Sequence, residues 1–459
     1  MKTYNKSVFI FRRDLRLVDN TGLNKALTLS KKVYCCFIFD PRQVGKQNTY
    51  RSLNAVQFMI TSLKKLEEDI KAKEGNFYFF YGLTETIVSQ ILREIKPEAL
   101  FVNRDYTPFS IKRDQNIQKQ CKSLNCHFDQ SEDLLLTNPE TIYTKQGTPF
   151  KVFTPFYKQA SSHPITKPTT KRGNFSKFPV TSAQSLANIC EKHAWATYKN
   201  PQLFQKGGRA EAIAILRNIG TFKNYAKTRD FPSIPTTGLS AHNKFGTVSI
   251  REVYYAIIAK LGKTNPLLRQ LYWRDFYTYI AFHFPYVFGN PFRTKYNSLK
   301  WETDKKLFKR WYNGLTGLPI VDAGMRQMNF TGYMHNRTRM IAASFLIKDL
   351  HLNWLWGEKY FAHQLVDYDP SVNNGNWQWS ASTGCDAQPY FRIFNPWLQQ
   401  KKFDPECTYI KTWIPELKDV PVKVIQNWYK QEKSINNYPL PIVNHKHEKE
   451  KSIIMFQQA

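Results

Sequence analysis

The sequence predicts two domains: an α/β amino-terminal domain on a parallel, Rossmann-like sheet, then an all-α domain. Three observations carry that reading. The first third alternates short β-branched or aromatic runs with amphipathic helices, which argues for parallel strands joined by right-handed crossovers. Beyond about residue 200, helical spacing of apolar residues is the only periodicity left. A chain of 459 residues, finally, is too long for one ordinary core. The boundaries fall at 1–136 for the α/β domain, 137–200 for an interdomain linker and 201–459 for the helical domain.

The strand candidates are Ser7 to Phe11, Lys32 to Phe39, Asn76 to Tyr81 and Ala99 to Asn103. Between the second and third, Asn54 to Lys73 spaces Val56, Met59, Ile60, Leu63, Leu66 and Ile70 along one helical face. No GxGxxG follows the first strand, which excludes an ordinary dinucleotide loop. Phe11-Arg12-Arg13-Asp14-Leu15-Arg16 stands there instead, where such sheets usually open a ligand crevice. From Thr137 to Asn200 the composition turns to Pro, Ser, Thr and Lys, and a surface linker is expected. Helical spacing returns over Gly208 to Asn218, Ser249 to Leu261, Leu267 to Phe284 and Leu318 to Leu352; the charged tail after Asn444 is expected to fray.

A formal charge of +30 implies a polyanionic partner, nucleic acid first and a membrane surface second, although a lysine-rich composition accounts for part of it. No apolar run approaches the roughly 20 residues that span a bilayer, and no signal-peptide core follows Met1. Seven cysteines show no metal-binding spacing. A reduced, cytoplasmic protein without a structural metal is expected.

Four clusters carry polar groups that a core does not need. Asn373-Asn374-Gly375-Asn376-Trp377-Gln378-Trp379 joins amides to indoles and follows the acidic turn Asp367-Tyr368-Asp369. Amides and carboxylates hydrogen-bond a polar ring system, and indoles stack on flat ligands or carry electrons. Thr236-Thr237-Gly238-Leu239-Ser240 offers hydroxyls and backbone N–H groups ahead of a helix, suited to a phosphate, though an ordinary capping loop looks the same. Trp273-Arg274-Asp275-Phe276-Tyr277 lies on an aromatic helix with Gln270 one turn before Trp273. Met334-His335-Asn336-Arg337-Thr338-Arg339-Met340 puts two arginines into an apolar helix, where they need counter-ions such as Asp367 or Asp369.

With these clusters, Lys151-Val152-Phe153-Thr154-Pro155-Phe156, Arg229-Asp230-Phe231-Pro232 and Arg392-Ile393-Phe394-Asn395-Pro396, the chain resembles the cryptochrome/photolyase family over nearly its whole length. Within that family it is most similar to the class I cyclobutane pyrimidine dimer branch. The resemblance implies light-driven DNA repair, with FAD folded into a U in the helical domain. Tyr225, Thr236, Thr237, Leu239 and Ser240 match its phosphate side, and Arg274, Asn336 and Arg339 its surroundings. Asp367 and Asp369 match the carboxylates near the isoalloxazine, and Asn373 the side chain beside flavin N5. Trp377, Trp354 and Trp301 match an electron relay to the surface, although each alone reads as a core aromatic. Trp273 and Trp379 match the walls of the lesion pocket, with Gln270, Asn336 and Met340 its contacts. Arg229, Arg337 and Arg392 match phosphate grips on UV-damaged DNA. The resemblance also implies a monomer without an obligate protein partner.

Gln270 departs from the glutamate of class I dimer enzymes, which predicts slower splitting; (6-4) photolyases share the glutamine but carry a histidine pair where this chain has Asn336 and Met340. Gly238 replaces a basic residue and Tyr333 a tryptophan. Thr107 to Ser110 lacks the glutamate that supports folate antennas, so a second chromophore is expected to be a deazaflavin or flavin sooner than a folate. A cryptochrome-type blue-light receptor without repair is the rival reading, and a plain nucleic-acid-binding flavoprotein a weaker one.

Overall fold

Five strands form one parallel sheet in the order β3-β2-β1-β4-β5 in the computed structural model, which describes residues 3–459. They are β1 (Tyr4–Phe11), β2 (Ser30–Phe39), β3 (Phe77–Tyr81), β4 (Ala99–Asn103) and β5 (His127–Ser131). The sheet is covered on both sides, which is why its strands read as continuous apolar runs. Phe9, Phe11, Cys35 and Phe37 enter the core on one face, and Val8, Ile10, Cys36 and Ile38 that on the other. β5 was not expected. Its sequence, HFDQS, has no apolar run because this edge strand, unlike β3 at the other edge, is largely open to solvent; it is held by pairing from Ala99–His127 to Asn103–Ser131.

The expected helix at 54–73 spans Leu53–Lys71, with the Ser52 side chain accepting from the Ala55 N–H. The stretch expected at 318–352 is two helices, Pro319–Thr331 and Asn336–Lys348. Gly332, at φ +66°, ends the first, and the His335 ring caps the second by accepting the Arg337 N–H. A left-handed turn inside an apolar stretch leaves little mark on periodicity.

Residues 137–200 are more than a surface linker. They carry helices Phe153–Ala160, Leu186–Lys192 and Ala194–Thr197. Ile142, Phe153 and Phe156 pack under Tyr272, Phe276 and Tyr279 of the Pro266–His283 helix. The tail does not fray either: His445–Gln457 is a docked helix. Its one fully buried large apolar side chain, Phe456, is 1% exposed and lies among Tyr296, Trp301 and Tyr390 at centroid distances of 5.7, 6.2 and 6.1 Å. His445–Asp349 and His351–Glu448 contacts at 2.5 and 2.8 Å close the joint. Charge dominates that segment's composition, so one buried ring was not legible.

The loop after β1 holds the two halves together and is not an open crevice. Arg12 pairs with Asp114 at 2.8 Å, Arg16 with Asp133 at 2.6 Å, and Arg13 with Asp105 at 3.2 Å and with Asp369 of the helical domain. Arg251, also from the helical domain, pairs with Asp19 and Asp133, each at 2.9 Å. The space left at the end of β1 is about 10 Å³, room for about one water. Gly246 lets the domains approach this closely, since a Cβ there would lie 2.2 Å from the Arg13 carbonyl oxygen. No helix among the described residues is long and apolar enough to cross a membrane.

Truncating the tail anchor, Phe456→Ala, is expected to cost about 3–5 kcal/mol, the usual range for a buried phenylalanine. Denaturant unfolding checks it; an unchanged midpoint would contradict the docked helix.

Candidate active site

A cavity of about 510 Å³ opens in the helical domain. Every site residue singled out from the sequence borders it except Trp301, Trp354 and Arg392. The resemblance alone separated these residues from ordinary core positions; the fold brings them together from segments up to 155 positions apart, Tyr225 to Ser380.

The amide- and indole-rich motif forms the helix Pro370–Ser380, opened by Asp369, whose side chain accepts from the Ser371 and Val372 N–H groups at 3.0 and 3.1 Å. Its residues divide by helical face. Asn373, Asn376, Trp377 and Trp379 border the cavity. Asn374 and Gln378, one turn apart, are structural: both donate to the Val287 carbonyl, at 3.0 and 3.1 Å, and Gln378 accepts the Phe292 N–H at 2.8 Å. Gly375 has no room for a side chain, because a Cβ would lie 2.0 Å from the Tyr277 ring. The Asn373 amide is held by donating to the Glu358 carbonyl at 3.0 Å.

The cavity's charges are largely matched. Arg339 donates to both oxygens of Asp367, at 2.9 and 3.2 Å, and to the Met334 carbonyl at 2.8 Å. Burial pushes the Asp369 carboxyl up, but the guanidinium of Arg13, with Arg274 nearby, holds it below the ordinary carboxylate range. Arg274 is anchored by the Leu134 carbonyl at 2.8 Å. Arg337 pairs with Asp230 at 2.7 Å and lies over Phe403, so it is not the free cation that a phosphate grip suggests. Burial, helped by Arg13, pushes the Lys244 amine down to about 7. Burial alone pushes the Glu358 carboxyl, behind Asn373, up to about 7.

On the hydroxyl-bearing wall, the Thr236 and Tyr333 hydroxyls lie 3.4 Å apart, and Tyr333 stacks on Phe204 at 4.3 Å. Gln205 accepts the Ala241 N–H and donates to the Gly238 carbonyl, which shapes the loop. At the other end, Trp273 lies ring on ring with Phe153, and Trp379 meets Phe394 edge-on at 6.5 Å. Gln270 is held loosely, 3.5 Å from the Pro266 carbonyl, and the Asn336 amide is 3.6 Å from the Met340 sulfur.

Trp377, Trp354 and Trp301 belong to one hydrophobic cluster; the first two are buried, and Trp301 is half-buried at its rim. Arg392 is exposed and stands off the cavity. Sequence reasoning missed Asn243 and Lys244, and gave no site role to Arg13 and Tyr277 although it singled out their motifs. The Arg12-Arg13 motif was the available signal for Arg13, and only the fold shows that it reaches Asp369.

Known proteins resemble the chain over nearly its whole length. The DNA photolyase family description matches residues 7–172, and that of the FAD binding domain of DNA photolyase matches residues 267–458. The deoxyribodipyrimidine photo-lyase of Alkalihalophilus pseudofirmus is 36% identical, over 97% of both chains. An archaeal photolyase from Sulfolobus tokodaii, solved with two FAD molecules, superposes with a TM-score of 0.90 at 42% identity, over 99% of this chain and 100% of that one. A cryptochrome from Synechocystis sp. PCC6803 superposes with a TM-score of 0.87 at 27% identity, over 99% of this chain and 100% of that one.

The buried carboxyl behind Asn373 gives the site a pH signature. An unfolded glutamate loses its proton near 4.5 and the folded Glu358 near 7, so the folded state holds the extra proton between them. Stability therefore falls as pH rises through that window. Glu358→Gln is expected to remove this part of the fall, stabilising the protein more at pH 8 than at pH 5. Unfolding midpoints at both pH values test it, and an equal change at both would refute it.

Proposed function

The chain belongs to the DNA photolyase family, and from that premise we propose that it repairs DNA with light, splitting a cyclobutane pyrimidine dimer turned out of the duplex. The observation that carries this reading is a single cavity bordered both by the polar groups that suit a flavin and by the indoles of Trp273 and Trp379. A dimer has to leave the helix to enter such a space, at a cost of a few kcal/mol that is lower for a lesion already poorly paired.

The residues present suit FAD. Asn243 borders the cavity, and its buried side-chain oxygen has no protein partner. Thr236, Thr237 and Ser240, with Tyr225 and the Leu239 backbone, would hold the phosphates, and Arg274, Arg339, Asp367 and Asp369 the rings. When bound, FAD supplies a light-excitable one-electron donor, which suffices for a ring splitting with no net redox change. Arg339, fixed by Asp367, places a positive charge where an anionic ring would be stabilised. Asn373 offers a neutral amide, already oriented by the Glu358 carbonyl. Trp377, Trp354 and Trp301 would relay electrons outward through the cluster they share.

Trp273 and Trp379 would wedge the apolar dimer, with Asn336, Met340 and Gln270 against its edges. Gln270 also favours a second reading, a (6-4) photolyase; Asn336 and Met340 count against it. The likeness to a cryptochrome keeps a receptor without repair as the reading from another class. The net charge of +30, with Arg229 and Arg392, supports DNA as the partner. A flavin is favoured as a second chromophore, as in the S. tokodaii protein with its two FAD molecules.

The test is illumination of the purified, photoreduced protein with two duplexes, one carrying a thymine dimer and one a (6-4) lesion. Loss of the dimer alone is expected; binding without splitting would favour the receptor, and loss of the (6-4) lesion alone the second reading. Trp379→Ala is expected to weaken damaged-DNA binding by about 1–3 kcal/mol, the scale of one base-stacking contact, and to spare intact DNA. Filter binding of both duplexes reads this out, and an unchanged preference would overturn the pocket assignment.

A further inference from the structure

The Lys151–Phe156 motif does no work in the reaction as proposed, yet its Phe153 touches the lesion pocket from behind. Phe153 is 1% exposed, and its ring lies 3.6 Å from that of Trp273 at an interplanar angle of 7°. At that separation the two rings overlap almost fully, an arrangement aromatic pairs do not favour when free to slide or tilt. The surroundings therefore impose it. The Phe153–Ala160 helix has no side-chain cap of its own; the Phe153 N–H donates instead to the Asp386 carboxylate at 3.0 Å. Asp386 lies six residues beyond Ser380, where the helix carrying Trp379 ends. Arg269, one turn before Trp273, sits over Phe153 and Tyr157 at 5.1 and 5.2 Å, and the Tyr157 ring stacks on that of Phe153 at 5.8 Å.

We propose that Phe153 and Asp386 are positioning residues that set the gap between the two indole walls. Phe153 fixes the plane of Trp273, and Asp386 ties that plane to the segment following Trp379. The inference rests on the lesion-pocket reading above. An indole free to tilt would still border the cavity but would lose its register with a wedge-shaped ligand, so the effect falls on lesion recognition and not on general DNA affinity.

The test uses the full-length holoprotein with a duplex bearing one thymine dimer and its undamaged counterpart. Phe153→Leu is expected to lower the preference for the damaged duplex about tenfold, with undamaged affinity and FAD content unchanged. The repair KM rises while turnover at saturation is retained, and Phe153→Tyr restores the preference. Asp386→Ala gives the same direction and Asp386→Asn, which still accepts the N–H, does not; this pair decides the matter if Phe153→Leu does not fold. Preference kept within twofold in Phe153→Leu, or equal loss on both duplexes, overturns the inference. Trp379→Ala runs alongside: if it too keeps the preference, the lesion-pocket reading itself fails.

Discussion

The arrangement of the molecule depends on buried arginine–carboxylate contacts where β1 ends. Arg13 faces Asp105 in its own domain and Asp369 in the helical one, and Arg16 and Arg251 share Asp133 across the same boundary. Charges this deep are costly to desolvate, and removing one partner leaves the other uncompensated, so the set stands or falls together. Asp369 matters most, because it also caps the helix bearing Asn373, Trp377 and Trp379. The cavity's most distinctive wall is thus registered against the sheet through one side chain. This explains how a parallel sheet without a dinucleotide loop of its own still shapes the site: its carboxyl edge presents an arginine to the helical domain instead of a crevice to a ligand.

Charge is distributed on two scales. The chain carries a large positive excess, but at the cavity Arg337 and Arg339 each meet a carboxylate, and Asp369 is met from outside it by Arg13. Long-range attraction to a polyanion is left to the surface, where salt screens it. Close recognition then falls to the amides, indoles and hydroxyls of the cavity. Two arginines held by carboxylates, beside neutral amides and indoles, suit a ligand whose reacting part is apolar and whose charge stays outside with its backbone.

Much of this was legible in the sequence, unevenly. Four strands announced themselves because burial on both faces makes a run of Phe, Ile, Val and Cys. β5 did not, since a solvent-open strand is held by pairing and not by apolarity. The cavity residues were legible through a resemblance carried by uncommon residues such as Trp377 and Asn373; periodicity alone would have left them in the core. What escaped were interactions joining distant segments: Arg13 with Asp369, Phe456 with Trp301, Asp230 with Arg337. Each consists of ordinary residues whose partner lies 100 or more positions away or, for Phe456, within a segment whose composition argued for disorder. Gln378 and Asn374 show the converse. They sit in the most chemical-looking motif of the chain, yet they bond backbone carbonyls and hold two segments together.

The contact between Gly375 and the Tyr277 ring constrains how this protein can change over generations. A methyl at 375 would fall inside the neighbouring ring, so neither a larger residue at 375 nor the loss of the aromatic at 277 is an independent step. Only hollowing out 277 first opens a path to a bulkier 375, and that intermediate carries a void beside the cavity floor. The two positions form an epistatic pair, and descendants are expected to keep both or to exchange both.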